Sequence, residues 1–477
     1  MIFGLAPLLR KLVGLIMVPL YTHFLTTRDY GEIALLSMAT GLFALVLSLE
    51  LRAGYLRMWI AAPDRRAGLL TGTTCLLAAL GVFGAVAFLA TAEPLSDALL
   101  GRWIGWGYAA VLALGLFADI LSLVFNATLQ GMLRSVVMVA LSVSQFAVSL
   151  SITVFCVVYL RTGPIGVFLG GSVASVLTLI VMARLCIKGT GWVAPDRATI
   201  TALLRFSLPL LLAALMFFVV GNADRFIVSR FLSVGDLGLY AMAWTLAGLV
   251  TTLIFKPVQT SLDVWRYTMH DLPDGAGQFA NTFRVVMACM GIAAVGLATI
   301  GCDAFTRLAD PAFVPAVAYV PWLCGAVVLQ AGYSIVASAF FVTGATSRWT
   351  RLFAVSAAIQ VAASLLLVPL AGLIGAALAM IAANLFLYAG SAVQGQRLWR
   401  VPYPHAATLT MTVLVVALPC LRNRLGLIGL PTGAATLGLL MLALFMLRMV
   451  RTSDLAVLPR LLSARRRDNA FTRGQMS

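Results

Sequence analysis

FSLPLLLAALMFFVVGNADRFIVSRFLSVGDLGLY, Phe206 to Tyr240, decides how the chain is read. It is an apolar run long enough to cross a bilayer as a helix, yet Asn222, Asp224 and Arg225 sit deep along it. The run stops at a polar turn, FLSVGDLG, and a second apolar run follows. The same turn stands near the start of the chain as FLTTRDYG, Phe24 to Gly31, 207 positions earlier. Phe, Leu, Ser or Thr, Asp and Gly recur at the same five places. A repeated helix–turn–helix with charge at membrane depth predicts two related lobes.

Composition agrees with a membrane chain. Of 477 residues 61% are hydrophobic and only 10% charged, against roughly 25% charged in a soluble domain. Mean hydropathy is +1.01. Apolar runs of ~20 residues recur throughout, each long enough for ~30 Å of hydrocarbon. Alternating ~10-residue segments of a transmembrane β-barrel are absent. The fold class is therefore an all-α polytopic membrane protein. The apolar start, interrupted by Arg10 and Lys11 with no small-x-small site after it, is read as the first span and not as a signal peptide. The scattered cysteines show no metal spacing and are read as buried packing residues. The net charge of +16 lies mostly in short loops and the tail, where it sets topology. It does not call for nucleic acid.

Breaks between apolar runs give about fourteen spans, near 2–25, 31–52, 68–91, 103–128, 136–160, 164–186, 206–232, 237–257, 284–301, 316–343, 351–370, 373–393, 405–421 and 428–448. Connections are short, and the longest polar stretches are Lys256 to Arg284 and the tail after Arg448. Neither holds a catalytic domain. With both termini cytoplasmic, 22 basic residues fall on the inner side and 7 on the outer, as the positive-inside rule requires.

The repeat has two further landmarks. Gly163 and Gly166 match Gly372 and Gly375, and Gly131 matches Gly344, with nearly the same displacement. Six spans separate the copies, so both have the same orientation and the repeat is parallel. The expected organisation is a first lobe at 1–195, a second at 196–395, two accessory spans at 396–449 and a basic cytoplasmic tail at 450–477.

Ionisable groups at membrane depth cost at least ~2.5–3.5 kcal/mol on insertion scales, so each is a functional candidate. Arg10, Lys11 and Arg52 suit an anion, most simply a phosphate or pyrophosphate. The plainer account is pairing with Glu50 or Asp119, or snorkelling to an interface. Asp119, Ser122, Asn126 and Gln130 fall on one face of the fourth span. That stripe either lines a central cavity or makes interhelical hydrogen bonds. Asn222, Asp224, Arg225 and Glu50 form the gating or coupling set. A membrane carboxylate can bind H⁺ or Na⁺; a fixed Asp224–Arg225 pair closing the outer face is the preferred reading. No cofactor or metal is expected. No GxxxxGK phosphate loop or nucleophile elbow occurs, so the chain is read as no enzyme.

In FSLP, ADRFIVSRFLSVGDLGLYAMA, FLTTRDYGEIAL, FVPAVAYVPWL and GLIGAALA the chain resembles the Wzx-like polysaccharide (oligosaccharide) flippases. These are a branch of the multidrug/oligosaccharidyl-lipid/polysaccharide exporter superfamily, and the resemblance covers most of residues 1–395. It implies two six-helix lobes in a V around a cationic central cavity. It also implies alternating access that moves an undecaprenyl-pyrophosphate-linked oligosaccharide across the bacterial cytoplasmic membrane, from the inner to the outer leaflet. RKLVGL resembles the basic first helix of the lipid II flippase relatives, which puts Arg10 and Lys11 on the cavity side. The substrate set is then Arg10, Lys11, Arg52, Asp119, Asn126 and Gln130. A cation-coupled drug exporter of the same superfamily would rely on intramembrane carboxylates, which deep Arg and Lys outnumber here. A membrane polysaccharide polymerase would need a sizeable loop with acid and base residues, and none is present. The expected partners are the lipid-linked substrate, membrane lipid and other polysaccharide-assembly membrane proteins.

Overall fold

Apolar runs punctuated by glycine, proline and polar turns fold into helices. The computed structural model describes residues 19, 21–194, 197–427 and 429–449, and no strand occurs among them. The helices are α1 (Thr27–Ser48), α2 (Leu51–Ala61), α3 (Arg66–Leu100), α4 (Trp106–Gly131), α5 (Ser135–Val154), α6 (Pro164–Thr190), α7 (Arg197–Phe231) and α8 (Val234–Val250). There follow α9 (Lys256–His270), α10 (Gly275–Gly296), α11 (Cys302–Leu308), α12 (Val320–Val336), α13 (Ser338–Val342), α14 (Thr346–Leu398), α15 (His405–Arg424) and α16 (Leu430–Met446).

Eleven of the resulting segments are long and apolar enough to cross a membrane. The 53-residue α14 breaks at Gly372, whose φ of 59° only glycine adopts freely, and so holds two spans. With the shorter α16 these segments follow the expected second to fourteenth spans in order. Most of the first span, residues 2–18 and 20, lies outside the described residues. The protein is an all-α multi-pass membrane protein.

Two expected elements are corrected. The second span is not continuous, because Leu49 and Glu50 both take left-handed backbone angles and separate α1 from α2. Two such non-glycine residues cost roughly 1–2 kcal/mol each. The stretch read as a polar loop from Lys256 is also helical. Residues Thr251–Phe255 form a π-helix that carries α8 directly into α9. Val258, Leu262, Trp265 and Met269 give α9 an apolar stripe packed on the core, and Trp265 stacks on Phe279 at 5.9 Å. Of the cysteines, Cys156, Cys186, Cys302 and Cys324 are buried as expected, but Cys75 and Cys289 are exposed.

The repeated turns fold as matching caps. Thr26 accepts from the Asp29 N–H at 3.1 Å while the Asp29 carboxylate accepts from the Thr26 N–H at 2.9 Å. Ser233 and Asp236 do the same for α8 at 3.0 and 3.1 Å. Both are capping boxes, which satisfy two otherwise unpaired backbone donors. Two residues beyond each aspartate stands a glycine, and there α1 and α8 cross in direct backbone contact. A Cβ on Gly31 would lie 1.9 Å from the Val234 carbonyl oxygen, and one on Gly238 would lie 1.8 Å from that of Thr27. The contact is reciprocal, with each residue meeting the counterpart of its own partner.

Around this crossing, buried Glu32 is held by Arg102 at 2.7 Å, and the Tyr30 hydroxyl meets that of Thr245 at 3.1 Å. Farther round the bundle, a buried ion pair joins Asp303 of α11 to Arg422 of α15. Arg422 also donates to the Gly429 carbonyl oxygen at 3.0 Å, and the Gly429 N–H donates to Asp303 at 3.1 Å.

Candidate functional site

A cavity of about 560 Å³ lies between α1, α7 and α8, bounded at one end by the glycine crossing beside Tyr30. α1 supplies Tyr30, Ser37 and Met38 to its wall, and α7 supplies Asn222 and Arg225. α8 and the π-helix supply Trp244, Thr245, Thr251 and Thr252, with Lys256 at the start of α9 and Gln330 from α12. Two cations therefore line it, and no carboxylate does among the described residues.

Helical geometry explains how this wall acquires its sign. Adjacent residues point about 100° apart, so Asp224 and Arg225 leave α7 on different faces. Asp224 turns into the core, only 1% exposed, where it accepts from the Tyr240 hydroxyl at 2.6 Å and the Trp244 indole N–H at 3.4 Å. Arg225 turns to the cavity. Its guanidinium lies 5.6 Å from the centre of the Trp244 ring and donates to the Asn222 side-chain oxygen at 3.3 Å. Trp244 thus binds the carboxylate through its edge and offers its face to the cation. The two charged side chains form no ion pair with each other, although the backbone N–H of Arg225 donates to Asp224 at 2.9 Å.

The other predicted residues are dispersed. Arg10 and Lys11 lie outside the described residues. Arg52 donates to the Gln130 side-chain oxygen at 3.0 Å, which brings those two together away from the cavity wall. Asn126 donates to the Ser122 carbonyl on its own helix. Asp119 lines a second cavity of about 460 Å³ with Ser37, Thr40, Ser149 and Ser172. There it accepts from Ser175 at 3.0 Å, and Ser175 accepts from Gln145 at 3.1 Å. Ile33 and Ser37 of α1 border both cavities, so this helix is the wall between them. Glu50 sits in the α1–α2 bend with no side-chain partner among the described residues.

Lys256 escaped the sequence reading, which placed it in a loop. Its signal is Pro257, which lacks the N–H that would close a regular turn onto Leu253. The helix widens into a π-turn there instead of ending.

The described helices thus form a membrane bundle with a polar, cationic cavity. Residues 20–295 match the model of a family described as polysaccharide biosynthesis protein. More than half of the chain is matched, and the chain belongs to that family. No curated protein matches it in sequence. Among solved structures it is similar to the lipid II flippase MurJ in an inward closed conformation, with TM-score 0.75 and 11% identity over 95% of this chain and 99% of that one. An inward-facing multidrug resistance MATE family transporter of the MOP superfamily gives TM-score 0.69 and 16% identity, over 83% and 97% of the two chains. A MOP superfamily transporter from Pyrococcus furiosus, described as having a binding pocket of reverse polarity, gives 0.55 and 15%, over 83% and 93%. These likenesses establish the fold.

Proposed function

We propose that the chain is a flippase that carries an undecaprenyl-pyrophosphate-linked oligosaccharide from the inner to the outer leaflet of the bacterial cytoplasmic membrane. The observation that carries this reading is the central cavity, whose lining holds Arg225 and Lys256 and, among the described residues, no carboxylate. A pyrophosphate head group is anionic, and a water-filled cationic cavity lowers the cost of moving it past hydrocarbon. Hydroxyl and amide groups on the same wall suit the sugars, while the lipid tail stays in the bilayer.

Membership of a polysaccharide-biosynthesis family and a fold shared with a lipid II flippase support the reading. In it, residues 1–195 and 196–395 are the two lobes, and 396–449 the accessory helices. The 450–477 tail is cytoplasmic. Arg10 and Lys11 would add to the anion site, and Arg52 with Gln130 would serve an approach to it. A drug exporter for cationic compounds is disfavoured, because Asp224 faces the core and Asp119 lines a separate cavity.

In cells whose surface polysaccharide depends on this protein, Arg225→Ala and Lys256→Ala each abolish the polysaccharide at normal protein level. Lipid-linked repeat units accumulate inside. Full surface polysaccharide in both variants contradicts the proposal.

A further inference from the structure

The cavity's two cations stand far apart along one wall. Trp244, Gly248, Thr251, Thr252 and Lys256 recur at helical spacing on α8 and its extension, and all line the same cavity. Arg225 lies over Trp244 and so marks that level. From Trp244 to Lys256 the helix climbs roughly 18 Å at 1.5 Å per residue. A four-carbon lysine stem does not close that gap. The phosphates of a pyrophosphate share one bridging oxygen and cannot engage both cations in one pose.

Between the two levels the wall is neutral and polar, with the hydroxyls of Thr245, Thr251 and Thr252. It is also unusually bare. Gly248 on α8 and Gly221 on α7 both line the cavity, and a Cβ added to either would meet no atom within 4 Å. Neither glycine has a positive φ or a close packing neighbour to require it. Each costs its helix about 1 kcal/mol relative to alanine. What they provide is width at the middle of the cavity.

We infer that Lys256 and Arg225 are successive anion stations on one track, with Gly248 keeping the passage between them open; this rests on the flippase reading above. Lys256 receives the pyrophosphate, the threonine hydroxyls carry it past Gly248, and Arg225, braced by Trp244 and Asn222, holds it beside the glycine crossing. The head group advances while the two lobes exchange access.

The test uses purified full-length protein, farnesyl pyrophosphate as the probe in calorimetric titration, and surface polysaccharide in cells. Lys256→Gln and Arg225→Gln each leave the other station intact, so each single variant still binds the probe within roughly twofold of the native affinity, and only the double variant loses binding. Gly248→Leu binds the probe as the native protein does, which also shows that it folds, yet delivers no surface polysaccharide. A single neutralisation that removes binding as completely as the double variant overturns the two stations. Normal polysaccharide from Gly248→Leu overturns the passage. Absence of binding by the native protein removes the flippase reading itself, and the stations with it.

Discussion

Gly31→Val and Gly238→Val are each expected to abolish surface polysaccharide by forcing α1 and α8 apart at their crossing. An added Cβ would lie 1.9 or 1.8 Å from a carbonyl oxygen of the opposing helix, well inside the ~3.5 Å at which non-bonded atoms sit. The obstacle is backbone, which no rotamer change relieves. The cost falls only on the state in which α1 and α8 are crossed, so the population shifts toward one in which they separate. Spin labels at Arg28→Cys and Arg230→Cys, with Cys75, Cys289 and Cys420 replaced by serine, report this directly. The distance between them lengthens in either glycine variant and stays short in Gly438→Ala, where a Cβ meets nothing within 4 Å. An unchanged distance with normal export contradicts a role for this crossing in the transport cycle.

The largest stability effect is expected at Arg422. Its side chain is 3% exposed and that of Asp303 8%. Besides the carboxylate, Arg422 reaches the Thr432 hydroxyl at 3.2 Å and the Gly429 carbonyl, so one guanidinium organises the α15–α16 turn. Arg422→Ala leaves the Asp303 carboxylate buried with the Gly429 N–H as its remaining donor among the described residues. Removing one member of a buried pair costs about 3–5 kcal/mol, which a thermal-unfolding scan in detergent reads as a large drop in midpoint. Replacing both members, Asp303→Leu with Arg422→Met, removes the stranded charge and recovers most of the loss. A double variant no more stable than Arg422→Ala shows that the guanidinium's contacts to Thr432 and Gly429 carry the effect.

The helical fold was legible because hydrocarbon imposes a simple rule, namely long apolar runs with polar turns between them. The echo of FLTTRDYG in FLSVGDLG was legible for the same reason. Its Thr–Asp and Ser–Asp spacing is that of a capping box, which is local chemistry. What Gly31 and Gly238 do was not legible, since it depends on two helices meeting 207 positions apart in sequence.

The site was read only in part. Asp224 and Arg225 look like a pair in a linear sequence, but a helix sends neighbours to different faces, one to Tyr240 and one to the cavity. The stripe of Asp119, Asn126 and Gln130 does share a face, but it is longer than the place any one of them serves. Asp119 meets a cavity of its own, and Gln130 meets Arg52. Lys256 was hidden because a π-helix continues the eighth span past the point where charge and proline signal a loop.

Transbilayer movement of the lipid-linked oligosaccharide in proteoliposomes tests the central claim most directly, read by access of an added glycosidase to the sugar. Native protein is expected to expose inner-leaflet substrate far faster than protein-free vesicles, while Arg225→Ala combined with Lys256→Ala matches the protein-free rate. Native protein that moves the substrate no faster than empty vesicles, or a double variant that moves it as fast as the native protein, contradicts the account.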